Sequence, residues 1–198
     1  MKLIAVEKAG KRLQSAEEAL KRIRTCSDFA TFEAAWSDLL IALNSIHSIL
    51  ENGASTFPKS AGWYSKKKGE RRADPLLQYL KQARNADEHG IEPVARLKPG
   101  GMTIGGAGQS FDLYSLRTVP DGLGGMQIEV VTGPGQTPHI GFFGPSAKLV
   151  PVTNRGISYA PPKEYLGARL ADQTPLTVAE LGLEYHQTLL EEAATLVG

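Results

Sequence analysis

Glycine and proline divide this chain near residue 92. Residues 1–92 hold 5 of the 21 glycines and 2 of the 12 prolines, and the remaining 16 and 10 follow. Both residues interrupt helices, glycine through its backbone freedom and proline through its missing N–H. Long helices therefore belong to the first half and short, turn-rich elements to the second. The chain returns to helical spacing only at its end, so the expected class is α+β: a mainly α-helical bundle of about four helices, with an antiparallel β insertion before the C-terminal helix.

The helices follow from apolar spacing. Leu13, Ala16, Leu20 and Ile23 step by three or four residues and predict a helix over 8–25. Asp28 is a candidate N-cap for a helix over 28–52, whose stripe Phe29, Phe32, Trp36, Leu39, Leu40, Leu43, Ile46 and Leu50 ends at Gly53, read as a left-handed stop. Residues 54–74 contain Pro58, Gly62 and Gly69 and read as a loop. Asp74-Pro75 opens a helix over 75–89, with Leu76, Leu77, Leu80 and Ala83 inward and Gly90 as its end. In the last segment Thr177 and Glu180 have capping-box spacing and Leu176 and Leu181 staple spacing, predicting a helix over 177–197 with the stripe Val178, Leu181, Tyr185, Leu189 and Leu196. Trp36, Leu40, Leu43, Leu80 and Leu181 are expected in one core.

Between these helices, short runs at 110–118, 126–131, 139–143 and 147–152 read as strands of an antiparallel sheet. Asp121-Gly122, Gly133-Pro134-Gly135 and Asn154-Arg155-Gly156 supply turns, and Pro151 an edge position. The domain reading is thus a bundle of residues 1–94 closed by 176–198, an insertion over 95–160 and a linker over 161–175.

Composition narrows the function classes. Lys and Arg total 22 against 21 for Asp and Glu, a net charge of +1, which leaves only local basic patches for contact with polyanions. The longest apolar run, residues 39–43, is too short for a membrane span, and residues 1–6 do not read as a signal peptide. With Cys26 alone no internal disulfide forms, and a cytoplasmic location with no membrane association is expected. The glycines at 100–108 lack the Lys-Ser or Lys-Thr of a phosphate loop, and Gly133-Pro134-Gly135 lacks a third glycine; both read as turns. His47, His89, His139 and His186 have no second His or Cys at ligand spacing, so neither a metal site nor a cofactor is expected. His47 and His186 read as packed core histidines, and Cys26 as a structural or surface thiol.

One segment carries a chemical pattern. Arg84, Asn85 and His89 stand at the end of the 75–89 helix as Arg-Asn-x3-His. This resembles the Arg-x4-6-His motif of the HEPN superfamily, over the helical parts of the chain only. The resemblance implies metal-independent endoribonuclease activity, as in toxin or defence-related RNases, in which a 2′-hydroxyl attacks the adjacent phosphate. His89 would move the proton, Arg84 would stabilise phosphorane charge and Asn85 would orient one of them. Five residues at about 100° each place Arg84 and His89 roughly 140° apart on a straight helix. Both then meet one substrate only if the helix unwinds at His89 or a second chain adds its own copy; the resemblance implies the second, a homodimer joined along the 75–89 helix and burying residues near Gln82, Asn85 and His89.

RNA is the implied partner, and residues 63–72 are its candidate edge: Lys66, Lys67, Lys68, Arg71 and Arg72 for phosphates, Trp63 and Tyr64 for unstacked bases. The alternative from the same resemblance is a non-catalytic interaction or RNA-binding module, with the β insertion docking a protein partner. The same residues also admit a purely structural account, in which Arg84 and Glu88 form an i,i+4 ion pair and His89 faces the negative end of its helix.

Overall fold

The computed structural model describes residues 1–105 and 112–198. They form two compact units, Met1–Leu97 with Ala147–Gly198, and Lys98–Ser146.

The first unit contains five helices: α1 (Leu3–Thr25), α2 (Phe29–Ala54), α3 (Pro58–Ala73), α4 (Pro75–His89) and α5 (Pro175–Ala194). α2 is the hub and touches the other four. Its predicted stripe from Phe32 to Leu50 is buried throughout, with Phe29 half-buried at the start, and Asp28 caps it by accepting from Thr31 N at 2.8 Å. α1 turns a small face to the core, Ala5, Ala9, Ala16 and Ala19 ahead of Leu20 and Ile23. The close approach this permits explains Gly53. That residue lies inside α2 and is not its left-handed stop; a Cβ placed there would overlap Ala5 Cβ on α1.

The expected loop over 54–74 is helix α3. Pro58 opens it at the first helical position, and cationic residues with good helix propensity carry it past two exposed glycines, Gly62 and Gly69. Its inward stripe is Ser60, Trp63, Tyr64, Lys67 and Arg71, at helical spacing but polar enough to escape a search for apolar periodicity. Asp74 closes α3 and opens α4, its side chain accepting from Leu77 N at 2.9 Å, as the Asp-Pro signal predicts.

α5 starts two residues before the expected point. Thr174, not Thr177, is its N-cap, and Pro175 takes the first position. The capping box fails because Thr177 lies inside the helix, its N donating to Thr174 Oγ1 at 3.2 Å, and Glu180 reaches Arg24 of α1 at 2.8 Å. Leu181 is only partly buried; Val178, Leu183, Tyr185 and Leu189 supply the core face.

The expected single sheet is replaced by separate two-stranded pairs. β1 (Ala95–Lys98) pairs with β6 (Ser146–Leu149) where the chain leaves the first unit and returns to it, and Ala95 and Leu149 join the helical core. The hairpin β7 (Val152–Asn154) and β8 (Ile157–Tyr159) follows, then β9 (Glu164–Tyr165) and β10 (Ala168–Arg169). β7 and β9 both touch α4. Much of the 147–175 segment, read as sheet and linker, is therefore packed on the bundle, and Pro151 lies between β6 and β7 rather than on a strand edge. Asp74 also anchors this region, accepting from Leu166 N at 2.7 Å.

The second unit is built from β2 (Gly101–Gly105) against β5 (His139–Phe143), and β3 (Leu113–Pro120) against β4 (Met126–Thr132), both antiparallel. The glycines expected as turns at 100–105 are largely strand β2, and those at 106 and 108, with the start of the 110–118 strand, lie outside the described residues. Asp121 Oδ1 organises the β3–β4 turn by accepting from Leu123 N and Gly125 N, each at 2.8 Å. Leu116, Tyr114, Met126 and Phe142 of this unit remain exposed. No described helix is long and apolar enough to cross a membrane.

Candidate functional site

α4 places the motif residues on diverging faces, as the helical angle requires. Arg84 is mostly buried: its Nη2 meets Glu88 Oε1 at 2.6 Å, its Nη1 lies 3.3 Å from Asn85 Oδ1, and its Nε is buried without a partner. His89, in the last turn, keeps 75% of its side chain exposed. Glu88 stands between them, offering one oxygen to Arg84 and the other to His89 Nε2 at 3.7 Å. The i,i+4 pair is thus formed, and the two motif residues line different cavities.

The cavity at His89 has a volume of about 450 Å³ and is lined by Lys81, Gln82, Asn85 and His89 of α4 with Asn154, Arg155, Ile157 and Tyr159 of the β7–β8 hairpin. No carboxylate lines it. Its polar wall is held by Gln82, whose Oε1 accepts from Asn154 Nδ2 at 2.6 Å and from Asn85 Nδ2 at 3.4 Å. Burial, then neighbouring cations led by Arg71, lower the Lys81 pKa. Arg155 sits at the hairpin turn with φ +52, ahead of Gly156 at φ +78, a left-handed pair that closes tight hairpins. The sequence marks Asn154-Arg155-Gly156 only as a turn; nothing local in it announces that the turn folds over α4. The hairpin also occupies part of the Gln82–Asn85 face expected to join two copies.

The proposed RNA edge is rearranged by α3. Tyr64 is 6% exposed and donates its hydroxyl to His47 O at 2.8 Å, so it offers no base platform. Trp63 Nε1 and Lys67 Nζ both donate to Glu192 of α5, at 2.8 and 2.9 Å. Arg71 is drawn inward to Asn44 Oδ1 at 2.8 Å, and Lys68 pairs with Glu51. Lys66 and Arg72 alone of the set are exposed without an ion pair among the described residues.

His47 and His186 are core residues, as expected, but they meet: their rings lie 4.9 Å apart, edge to face. His186 Nδ1 bonds Gly182 O at 2.6 Å, its Nε2 has no partner, and neither nitrogen of His47 has one. Burial, with Arg71, the neighbouring His186 and Lys81 adding like charge, lowers His47 well below its ordinary value; burial above all lowers His186 to about 4. Both are neutral at pH 7. Asp87, two residues before His89, accepts from Ser37 Oγ at 2.5 Å, and no group of three or more metal-binding side chains converges among the described residues. Cys26 is half-buried, with Sγ 3.2 Å from Ile23 O.

No family model matches the chain, and no curated protein or solved structure does so either.

Proposed function

We propose that the protein is a cytoplasmic, metal-independent endoribonuclease of HEPN type, with its reaction centre in the cavity at His89. The observation that carries this reading is an exposed imidazole, 3.7 Å from Glu88, sharing a cavity with two cations, three carboxamides and one phenol and with no carboxylate among its lining residues. That set matches a phosphodiester: Lys81 and Arg155 for the phosphate, the carboxamides of Gln82, Asn85 and Asn154 for base edges, Tyr159 for stacking. His89 takes the proton of the 2′-hydroxyl as its oxygen bonds to phosphorus. The P–O5′ bond then breaks, the 5′-oxygen receives a proton, and a 2′,3′-cyclic phosphate remains.

Arg84 has two places in this scheme. Within one chain it positions His89 through Glu88; from a second copy, it would complete a composite site of the kind the resemblance implies. The deciding experiment incubates labelled RNA with the full chain in EDTA, beside His89→Ala, Arg155→Ala and Arg84→Ala. Expected are cyclic phosphate ends, loss of activity in His89→Ala, and a loss of about 10²-fold or more in Arg155→Ala. Recovery on mixing His89→Ala with Arg84→Ala would assign Arg84 to the dimer; 3′-hydroxyl products, or activity lost on chelation, would overturn the chemistry.

A second reading, a non-catalytic module that docks a protein partner, is favoured by the exposed Leu116, Tyr114, Met126 and Phe142 of the second unit. Absence of cleavage on every RNA tested would select it.

A further inference from the structure

The other cavity on α4 lies on the opposite side of the motif and has a different chemistry. It is a groove of about 630 Å³ between α1 and α2, with Arg84 of α4 also on its lining. Lys8, Lys11 and Arg12 come from consecutive turns of one face of α1, exposed, and no carboxylate side chain lines the groove. α2 supplies Asn44 and Ser48 opposite them. Two features behind this surface leave positive charge without a full complement of partners. Arg84 Nε is buried and unbonded, and Arg71, partly buried against Asn44 Oδ1, has no carboxylate within 4.0 Å among the described residues. Asn44 Nδ2 likewise donates to no described group. Glu88 and Asn85 take the two ends of the Arg84 guanidinium and leave only Nε without a partner.

Lys8, Lys11 and Arg12 face this concavity together with Arg84, whose charge Glu88 offsets in part, so an anion seated there gains from all four, and most from the partly buried guanidinium. We propose that this groove is a binding site for consecutive phosphate groups, those of a free polyphosphate or of a nucleic-acid backbone segment. No aromatic residue lines it, so the phosphates are recognised and an attached base is not. The site does not depend on cleavage at His89, which faces the other cavity.

The test is calorimetric titration of the full chain with inorganic tripolyphosphate at low ionic strength, with ATP, orthophosphate and a ten-nucleotide single-stranded oligonucleotide as further arms. Tripolyphosphate and ATP are expected to bind within about threefold of each other, and orthophosphate at least 10-fold more weakly. Lys11→Ala with Arg12→Ala, both on the exposed face of α1 where alanine is well tolerated, should weaken tripolyphosphate at least 10-fold and flatten its salt dependence. Displacement of tripolyphosphate by the oligonucleotide assigns the site to a nucleic-acid backbone, and failure to displace assigns it to a free polyphosphate. No binding by the wild-type chain, binding unaffected by the double substitution, or ATP bound far more tightly than tripolyphosphate would each overturn the proposal. His89→Ala should leave this titration unchanged, which separates failure of the groove from failure of the nuclease reading.

Discussion

His186 holds its proton on Nδ1 for the Gly182 carbonyl and leaves Nε2 unbonded against His47. Both folded-state pKa values lie below the ordinary 6.5, so the native fold keeps both rings neutral while the unfolded chain protonates them as pH falls. Stability is therefore highest above pH 6.5; for His186 it drains away as pH drops from 6.5 towards 4, and His47 adds a loss in the same direction. For His186 alone the loss between pH 7 and pH 5 is about 2 kcal/mol, visible as a lower urea midpoint at pH 5. His186→Gln, which retains a donor for Gly182, should flatten that pH dependence, and an unchanged slope would contradict the assignment. Sequence spacing alone identifies both histidines as core residues. It does not reveal that they touch, because positions 47 and 186 are joined only by the packing of α5 on α2. Arg84 and His89 are legible for the opposite reason: their divergence is a property of one helix and follows from its turn angle. Arg155 and Tyr159 are not, since their place beside His89 depends on a hairpin docking over α4.

At the scale of elements, α1 and α2 meet through small side chains, and at Gly53 they leave no room for another methyl. Gly53→Ala would force its methyl onto Ala5 Cβ, which is fixed to a helix backbone and cannot swing away. A loss of about 1–3 kcal/mol is expected, seen in thermal unfolding, although alanine is the better helix former. Adding Ala5→Gly should recover part of it, and a double-mutant cycle without coupling would show that the crowding lies elsewhere. Asp74 serves three elements at once, so Asp74→Ala should cost about 1–3 kcal/mol, more than an ordinary exposed cap, by also orphaning Leu166 N. The helices capped by Asp28 and Asp74 are legible to within two residues at each end, whereas α1 begins at Leu3, five residues before the expected start at 8, because its buried face there is only Ala5 and Ala9. α3 is not legible, because its buried stripe is closed by Trp63 and Lys67 on Glu192, Tyr64 on a carbonyl and Arg71 on Asn44, partners that lie on α2 and α5. Glycine and proline near residues 54–74 then read as loop signals when they are an N1 proline and two exposed helix positions.

The whole molecule separates where β1 and β6 pair. Replacing residues 98–146 by a short Gly-Ser linker should leave a helical unit that unfolds cooperatively, with near-native far-ultraviolet circular dichroism per helix residue and a melting temperature within several degrees of the intact chain. Non-cooperative melting would show that the second unit is needed for the first to fold. The same arrangement governs how fast the bundle can close. α5 must return across about 85 residues from the end of α4 to set Glu180 on Arg24 and His186 against His47, contacts far apart along the chain. Closing that loop carries an entropy cost that rises with the logarithm of its length, and removing about 50 residues from it saves roughly 0.8 kcal/mol. If α5 docking is part of the rate-limiting step, the shortened chain folds about fourfold faster in stopped-flow refolding while its unfolding rate stays nearly unchanged.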